Sequence, residues 1–296
     1  MDRPCRGNQY IRELDDGSVI VDRGPMLMSI SVSSEGMPHS TWARQGAYRA
    51  LEVLETLAGF RSLITQRINL IASVDALPSV VRKMVLVARE FDDPTVTPLI
   101  AVAGAGANEV ADFIYNNWQV SKVVVNNGGD IAIRLRNEET VKIGIKTDLT
   151  EKSITHILTV TEKSGIGGVA TSGFGGRSFT RGVANAAVAV AVDSICADVA
   201  ATLIGNATNV KSHLVKRAIA RNLYHSTDIP DLWVTTSVGD LAEEEVGEAL
   251  DKGMQKAETF HEKGLIIGAF LAVKDQIRLS KSIVPFTQPA SDLVAV

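Results

Sequence analysis

The sequence predicts an α+β fold in which a mostly antiparallel sheet packs with helices. Apolar residues recur at helical spacing before residue 120 and again after residue 194, and short alternating segments separated by polar turns lie between them. Hydrophobic residues make up 45% and charged residues 22% of the 296 residues, so the chain can build a full core. Helices that flank a run of strands are typical of α+β proteins.

The order of the elements follows from the same periodicities. Residues 17–32 alternate between polar turns and apolar pairs, which predicts an opening hairpin or meander. Helices are expected over 42–60, from 79 to just before 92, and over 105–118, 194–204, 211–224 and 241–261. Strands are expected over 122–126, 131–135, 141–146, 156–161, 184–192 and 265–273, and the turns between the first four favour antiparallel pairing.

Composition limits the class of protein. Because small and apolar residues run from about 85 to 272 without a linker, we expect one domain over 1–280 and a loose tail over 281–296. A net charge of −4 gives no general attraction for nucleic acid. No apolar run approaches the ~20 residues of a membrane helix, and the N-terminus lacks the apolar region of a signal peptide. These observations predict a cytoplasmic protein that binds neither nucleic acid nor membrane, and they leave homo-oligomerisation open.

The two cysteines form neither a disulfide framework nor a zinc set. Cys5 lies in a polar segment and Cys196 in an apolar helix, so reduced thiols are expected. The five histidines share no metal-ligand spacing and are interpreted as structural or surface residues.

The segment from Asn126 to Asp130 has two interpretations. Asn-Gly between apolar runs is the commonest signal for a short hairpin, which needs no ligand. Alternatively, Asn127, Gly128 and Gly129 form a turn whose backbone a ligand can approach, and Asp130 adds a carboxylate.

A second glycine-rich segment follows. Seven of the eighteen residues from 165 to 182 are glycine. Residues 165–170 match the spacing of a dinucleotide-binding motif, but the helix that such a motif requires does not follow, and the Gly-Lys-Ser/Thr ending of a P-loop is absent. The segment is interpreted either as a solvated turn or as a loop that offers backbone amides, the hydroxyls of Thr171 and Ser172, and the cations Arg177 and Arg181 to phosphate or carboxylate. Either hydroxyl could also act as a nucleophile, although the G-x-S-x-G elbow is absent.

Asp198 lies in an otherwise apolar helix and therefore requires a partner. Thr202 is four residues further on, which places a carboxylate and a hydroxyl on one helix face. A metal ion with two hard oxygen ligands explains this pair, while a helix cap or a buried arginine contact is the structural alternative.

Four of these segments, in this order, resemble motifs of the ApbE-like superfamily, whose best-known members are FAD:protein FMN transferases. Residues 93–99 are similar to a DPTVGPL segment, 128–131 to a GGDI turn, 170–173 to an ATSG loop, and 197–202 to an AD-x-x-x-T helix. Each match is short, and only their combination is specific.

The resemblance implies an ApbE-like fold with a flavin nucleotide and Mg²⁺ site. The metal would be held by Asp198, Thr202 and the backbone carbonyl of Ala170. The transferases move FMN from FAD onto a threonine hydroxyl of an acceptor protein, which is a metal-assisted displacement at phosphorus. Site residues expected on this basis are Thr171, Ser172 and Asp130 for catalysis, and Asn127, Gly128, Gly129, Gly173 and Arg177 for the nucleotide.

The chain also departs from the transferases. They carry a HIIDP-type segment between the ATSG loop and the metal helix, whereas residues 174–194 contain no histidine. The chain looks closer to a short, soluble, uncharacterised branch, which shares patterns like residues 101–104 and 201–206 and a C-terminal helix like 238–263. Where that branch commonly has histidine and aspartate, this chain has Arg177 and Asn185.

Three functional hypotheses follow. The first is an enzyme with a nucleotide or small-molecule site that performs metal-assisted transfer or hydrolysis, with FMN transfer from FAD as its most specific form. The second is a hydrolase of a small anionic or cyclic substrate that uses Thr171 or Ser172, with Arg177 as anion clamp. The third is a non-catalytic flavin-binding or interaction protein. FAD or FMN and Mg²⁺ are the expected ligands, and an acceptor protein is the expected partner of the first.

Overall fold

A ten-stranded antiparallel sheet organises the chain. The computed structural model describes residues 7–147 and 153–293. The helices are α1 Ser40–Gly59, α2 Arg61–Ile64, α3 Ser79–Glu90, α4 Val102–Asn117, α5 Ser194–Ala207, α6 Ala220–Leu223 and α7 Glu243–Glu262. The strands are β1 Ile11–Glu13, β2 Val19–Arg23, β3 Met26–Ser34, β4 Met37–Pro38, β5 Lys122–Asn127, β6 Asp130–Leu135, β7 Thr140–Ile145, β8 His156–Thr161, β9 Gly168–Ser172, β10 Ala186–Ala191, β11 Val215–Ile219, β12 Trp233–Val238, β13 Gly268–Val273, β14 Gln276–Leu279 and β15 Thr287–Pro289.

The large sheet has the strand order β1-β2-β3-β5-β6-β9-β10-β13-β14, and β4 pairs with β3. Helices cover one of its faces, with α1 and α4 over one part and α3, α5 and α7 over the other. The opposite face packs against a small sheet ordered β15-β8-β7, with Leu158 and Val160 of β8 in the shared core. The α+β prediction with a mostly antiparallel sheet is confirmed.

The centre of the sheet is built from small residues. All six residues of β10 are buried, and their sequence Ala-Ala-Val-Ala-Val-Ala puts alanine towards α5. Short side chains on this strand let α5 pack closely against the sheet. The helix begins after Asp193, whose carboxylate caps it by accepting hydrogen bonds from the amides of Ile195 and Cys196 at 2.9 and 2.8 Å.

Helix α4 crosses α5 at a glycine. The Gly104 amide donates to Oδ2 of Asp198 at 2.8 Å, and the hydroxyl of Ser194 donates to the Gly104 carbonyl at 2.8 Å. A Cβ at this position would overlap the Ser194 carbonyl oxygen and approach Cβ of Asp198 at 2.8 Å. Only glycine therefore permits this distance between the two helices.

The hairpin interpretation of residues 126–130 is confirmed. Asn127 pairs with Asp130 across the two-residue turn Gly128-Gly129, and both glycines have positive φ, at 71° and 112°. These backbone angles suit glycine, and the Asn126 side chain accepts the Gly129 amide at 2.9 Å.

One predicted helix is wrong. Residues 211–224 contain strand β11 and the single turn α6, and β11 pairs with β12, a strand that the sequence analysis did not identify. Val215 and Ile219 are four residues apart and so imitate a helical stripe, but both belong to the paired strand. Tertiary pairing overrides local propensity here.

Two further segments differ from expectation. The expected glycine-rich loop contains strand β9, which lies between β6 and β10 in the sheet. The tail is not loose over residues 287–289, because β15 pairs with β8. Its main-chain hydrogen bonds and the packing of Phe286 in the small-sheet core supply the order that polar composition did not indicate. The proposed division at residue 280 stays a prediction.

The remaining expectations concern thiols and membranes. Cys196 is a buried free thiol, and burial raises its pKa. Cys5 lies outside the described residues. In the described part of the chain, none of the helices has both the length and the apolar character that a bilayer span requires.

The glycine at the α4–α5 crossing gives a stability prediction. Gly104→Ala should lower the free energy of unfolding by about 1–3 kcal/mol, because the added methyl group overpacks the crossing. Urea unfolding monitored by circular dichroism measures the change.

Gly247→Ala is the matched control. Gly247 lies inside α7, and an added Cβ there meets no atom within 4 Å. This substitution should stabilise the protein by about 0.5–1 kcal/mol, since alanine is the better helix former. Equal effects at the two glycines would contradict the steric account.

Candidate functional site

A cavity of about 700 Å³ opens at one end of the large sheet. Its lining comes from the β2–β3 turn, α1, α4, the β5–β6 turn, the end of β9, the loop that follows it, and α5. Almost every predicted site residue lines it: Asn127, Gly128, Gly129, Asp130, Thr171, Ser172, Gly173, Arg177, Asp198 and Thr202. The fold therefore brings together two sequence segments, 127–130 and 171–202, that lie far apart in the chain.

Asp198 is the most buried acidic side chain of the cavity. Only 8% of the residue is exposed. Burial raises the pKa of its carboxyl to about 7, although hydrogen bonds from the backbone amides of Gly104 and Ala103 oppose the shift. Near neutral pH this carboxyl is therefore poised between its neutral and charged forms.

Asp130 begins β6 beside it. Burial raises the pKa of its carboxyl well above the ordinary value, and the charge of Asp198 raises it further. A hydrogen bond from the Thr171 backbone amide opposes both effects. The two carboxylates therefore act on each other across the cavity, and the negative charge of one makes ionisation of the other harder.

The side-chain oxygens of the cavity are of the kind that bind a hard divalent cation. Two carboxylates and the hydroxyl of Thr202 share the cavity, and Thr202 lies one helical turn after Asp198 on α5. Within the two described ranges, no cluster of three histidine, cysteine, aspartate or glutamate side chains suits a metal, so further ligands would come from hydroxyls, carbonyls or water. Ala170 is fully buried in β9 and does not line the cavity, and the role of its carbonyl stays a prediction.

Strand alternation separates the two predicted nucleophiles. In β9, Ala170 packs in the core shared with α5, whereas Val169 packs in the core shared with the small sheet. Successive side chains of a strand point to opposite faces. Ser172 therefore shares the helix face with Ala170, and Thr171 lies on the opposite face.

Arg177 brings a cationic side chain to the cavity. The Arg177 guanidinium donates from Nη2 to the carbonyl oxygen of Pro25 at 3.0 Å, and its Nη1 would be 3.1 Å from a Cβ placed on Gly128. Lys146, which follows β7, also lines the cavity. Sequence reasoning missed Lys146, because a lysine after an alternating strand is an ordinary surface pattern. Arg181 is not among the lining residues.

The polar backbone of the site is held by side-chain amides. Asn127 donates from Nδ2 to the carbonyl of Ala103 in α4 at 3.1 Å, which fixes the hairpin against the helix. Asn185 accepts the Lys274 amide at 2.6 Å through Oδ1 and so has a structural contact. A Cβ at Gly173 would overlap the Asn185 carbonyl, which accounts for glycine there.

Four aliphatic side chains also line the cavity and form what we call its aliphatic wall: Met26, Val53, Leu57 and Val102. The sequence did not indicate this wall, since apolar residues at helical spacing do not distinguish a core from a ligand wall. No histidine of the described chain lines the cavity, and the titratable side chains that do are those of Asp130, Asp198, Lys146 and Arg177.

The chain is similar to proteins described as UPF0280 proteins. It is 30% identical over 190 residues to a UPF0280 protein of Methanosarcina barkeri, covering 63% of this chain and 72% of the relative. A UPF0280 protein of Methanococcus aeolicus is 32% identical over 135 residues, covering 44% and 51%. The chain thus spans about half the length of the second relative.

A solved structure shares the fold. The apo form of the flavinyl transferase ApbE of Pseudomonas stutzeri superposes with a TM-score of 0.52 and 12% identity, covering 93% of this chain and 96% of that chain. At this identity the likeness concerns the fold alone.

A family model described as "AbpE bacteria" matches residues 11–279, nearly the whole described chain. The predicted resemblance is confirmed by this match, by the UPF0280 relatives and by the shared fold. The chain therefore belongs to the AbpE family of that description, within the ApbE-like superfamily.

Proposed function

We propose that this protein binds FAD together with Mg²⁺ and transfers the FMN group of FAD to an acceptor hydroxyl. The observation that carries the proposal is the pair of carboxylates, Asp130 and Asp198, in one cavity with Thr202. Two buried carboxylates that repel each other are stable together when a cation or protons neutralise them. A cavity of about 700 Å³ is in the range that takes a cofactor-sized ligand.

Asp198 and Thr202 would hold the metal, with Asp130 beside it. When bound, Mg²⁺ neutralises charge that develops on the pyrophosphate as the phosphorus–oxygen bond to AMP breaks. The acceptor oxygen forms the new bond to phosphorus, AMP leaves, and the acceptor proton passes to a carboxylate. Asp130 is the group we assign to that proton: ionised beside the bound cation, it would act as the base, and burial makes its carboxylate more basic than an exposed one.

The rest of the cavity positions the nucleotide. Among the described residues, the Arg177 side chain donates to a neutral carbonyl and makes no ion pair, so its charge can pair with a phosphate. The β5–β6 turn allows close approach to the backbone at Gly129, where no atom lies within 4 Å of an added Cβ. The aliphatic wall, which includes Val53 and Leu57 of α1, suits the flat face of a ring system.

Three activities toward FAD can be distinguished by their products: transfer of FMN, hydrolysis of FAD, and binding without reaction. Transfer leaves FMN covalently bound to an acceptor, hydrolysis releases free FMN and AMP from FAD, and a binding protein leaves FAD intact. Chromatography of a reaction with FAD, Mg²⁺ and a threonine-containing acceptor separates the three. Intact FAD after long incubation would reject catalysis and leave a flavin-binding protein.

Removing the Asp198 charge should abolish metal dependence. Asp198→Asn keeps an oxygen that can accept the Gly104 amide but removes the charged ligand. We expect loss of the thermal shift produced by FAD plus Mg²⁺ and a fall in FMN transfer of about 100-fold or more.

The control is Asp15→Asn, because Asp15 is exposed in the turn after β1. That variant should keep both the shift and the rate. A metal-dependent shift of normal size in Asp198→Asn would rule out the metal assignment.

The pKa of Asp198 also predicts how stability depends on pH without metal. Its carboxyl binds a proton more tightly in the folded than in the unfolded state, so the stability it contributes is present below about pH 4 and is lost as the pH rises through about 7. In EDTA, the melting temperature should fall between pH 5 and 8.5 by roughly 5 °C more in the natural protein than in Asp198→Asn.

Added Mg²⁺ should restore the natural protein at the higher pH, because the cation replaces the lost proton. It should leave Asp198→Asn unchanged. If the melting temperatures of the two proteins in EDTA fell equally between pH 5 and 8.5, ionisation of the Asp198 carboxyl would not be the cause of the fall.

A further inference from the structure

Two neighbouring residues with hydroxyl groups line the cavity, and their side chains lie on opposite faces of one strand. Thr171 and Ser172 both line the cavity. Thr171 pairs with Val188, which packs in the core of the small sheet, whereas Ser172 pairs with Ala187, which packs in the core shared with α5. Directly opposite residues of an antiparallel pair share a face. Ser172 is therefore the hydroxyl on the face where α5 lies.

Helix α5 presents one stripe to that hydroxyl. Asp198, Thr202 and Gly205 are spaced four and three residues apart, so they lie on one side of the helix. The hydroxyl oxygen of Ser172 lies 3.9 Å from the position of a Cβ on Gly205. Since Gly205 has no side chain, Ser172 is half-buried beside the stripe instead of being covered by it.

Asp130 lies on the same face. Ile131 pairs with Val169, so Asp130 is level with Ala170, and Ser172 is the next residue of β9 on that face. Such diagonal neighbours lie about 7–8 Å apart, with their Cβ atoms somewhat closer. The carboxyl group of Asp130 and the hydroxyl of Ser172 can therefore both approach one phosphoryl group.

We propose that Ser172 accepts the FMN group of FAD and forms a covalent flavin–serine phosphoester. This inference rests on the proposed function. The Ser172 oxygen forms a bond to the FMN phosphorus, the phosphorus–oxygen bond to AMP breaks, AMP leaves with its electron pair, and the serine proton passes to the Asp130 carboxylate.

The covalent product has two fates. An acceptor hydroxyl can displace the FMN group from Ser172, which completes transfer in two steps, or water can displace it, which completes hydrolysis of FAD to FMN and AMP. Splitting one displacement into two is a general property of nucleophilic catalysis. Without an acceptor, the chain itself should carry the flavin.

The test uses the full-length protein, FAD and MgCl₂ without acceptor. Intact-mass spectrometry after denaturation should show an added mass equal to FMN less water, and a denaturing gel should show a fluorescent band. Peptide mapping should place the label on Ser172. EDTA should abolish the label.

Ser172→Ala removes the proposed nucleophile, and Ser237→Ala is the control, since Ser237 lies in β12 and does not line the cavity. The label should disappear in Ser172→Ala and persist at the natural level in Ser237→Ala. The thermal shift with FAD plus Mg²⁺ should be kept in both, which shows that each variant is folded and binds.

Three outcomes overturn the proposal. A label that survives in Ser172→Ala, or that peptide mapping finds on a residue other than Ser172, would show that Ser172 is not the acceptor. A normal thermal shift with no label means that FAD binds without the covalent step, which leaves the proposed function standing. Absence of both the shift and the label rejects this step and the proposed function together.

Discussion

The close crossing of α4 and α5 at Gly104 is the constraint on which the site depends. Without a side chain at Gly104, the two helices approach until the Gly104 amide reaches Asp198 and the Ser194 hydroxyl reaches the Gly104 carbonyl. This contact keeps a carboxylate in an interior that would otherwise exclude it, because a buried acidic group requires hydrogen bonds to remain. The same crossing joins α5, which carries Asp198 and Thr202, to α4, whose Ala103 carbonyl accepts a hydrogen bond from Asn127 of the β5–β6 hairpin.

The sheet contributes the second half of the site through the ends of its strands. Asp130 begins β6 and Ser172 ends β9, so both belong to regular structure whose hydrogen bonds fix their backbone. Groups placed on strands and helices are held more accurately than groups on loops. The glycine-rich loop after β9 contributes Arg177, which donates a hydrogen bond to the carbonyl of Pro25 in the β2–β3 turn.

Sequence reasoning found the class of fold, the hairpin at Gly128-Gly129 and nearly all the polar residues of the cavity. It succeeded there because turn chemistry and a carboxylate in an apolar helix are local signals. It did not find the aliphatic wall or Lys146, and it placed Thr171 and Ser172 together in a loop. Those errors share a cause: the strand identity of β9 depends on pairing with β6 and β10, which lie far away in the sequence.

The cavity contains both acidic and basic side chains. Two aspartates, Asp130 and Asp198, and two basic residues, Arg177 and Lys146, are among its lining residues. A cation alone leaves the two basic groups without a counter-ion, and an anion alone leaves the two acidic groups without one. Each ligand therefore improves the field for the other, and by thermodynamic linkage the gain is reciprocal. If the protein binds Mg²⁺ and FAD as proposed, the two ligands should bind cooperatively, and the affinity for each should rise with the concentration of the other.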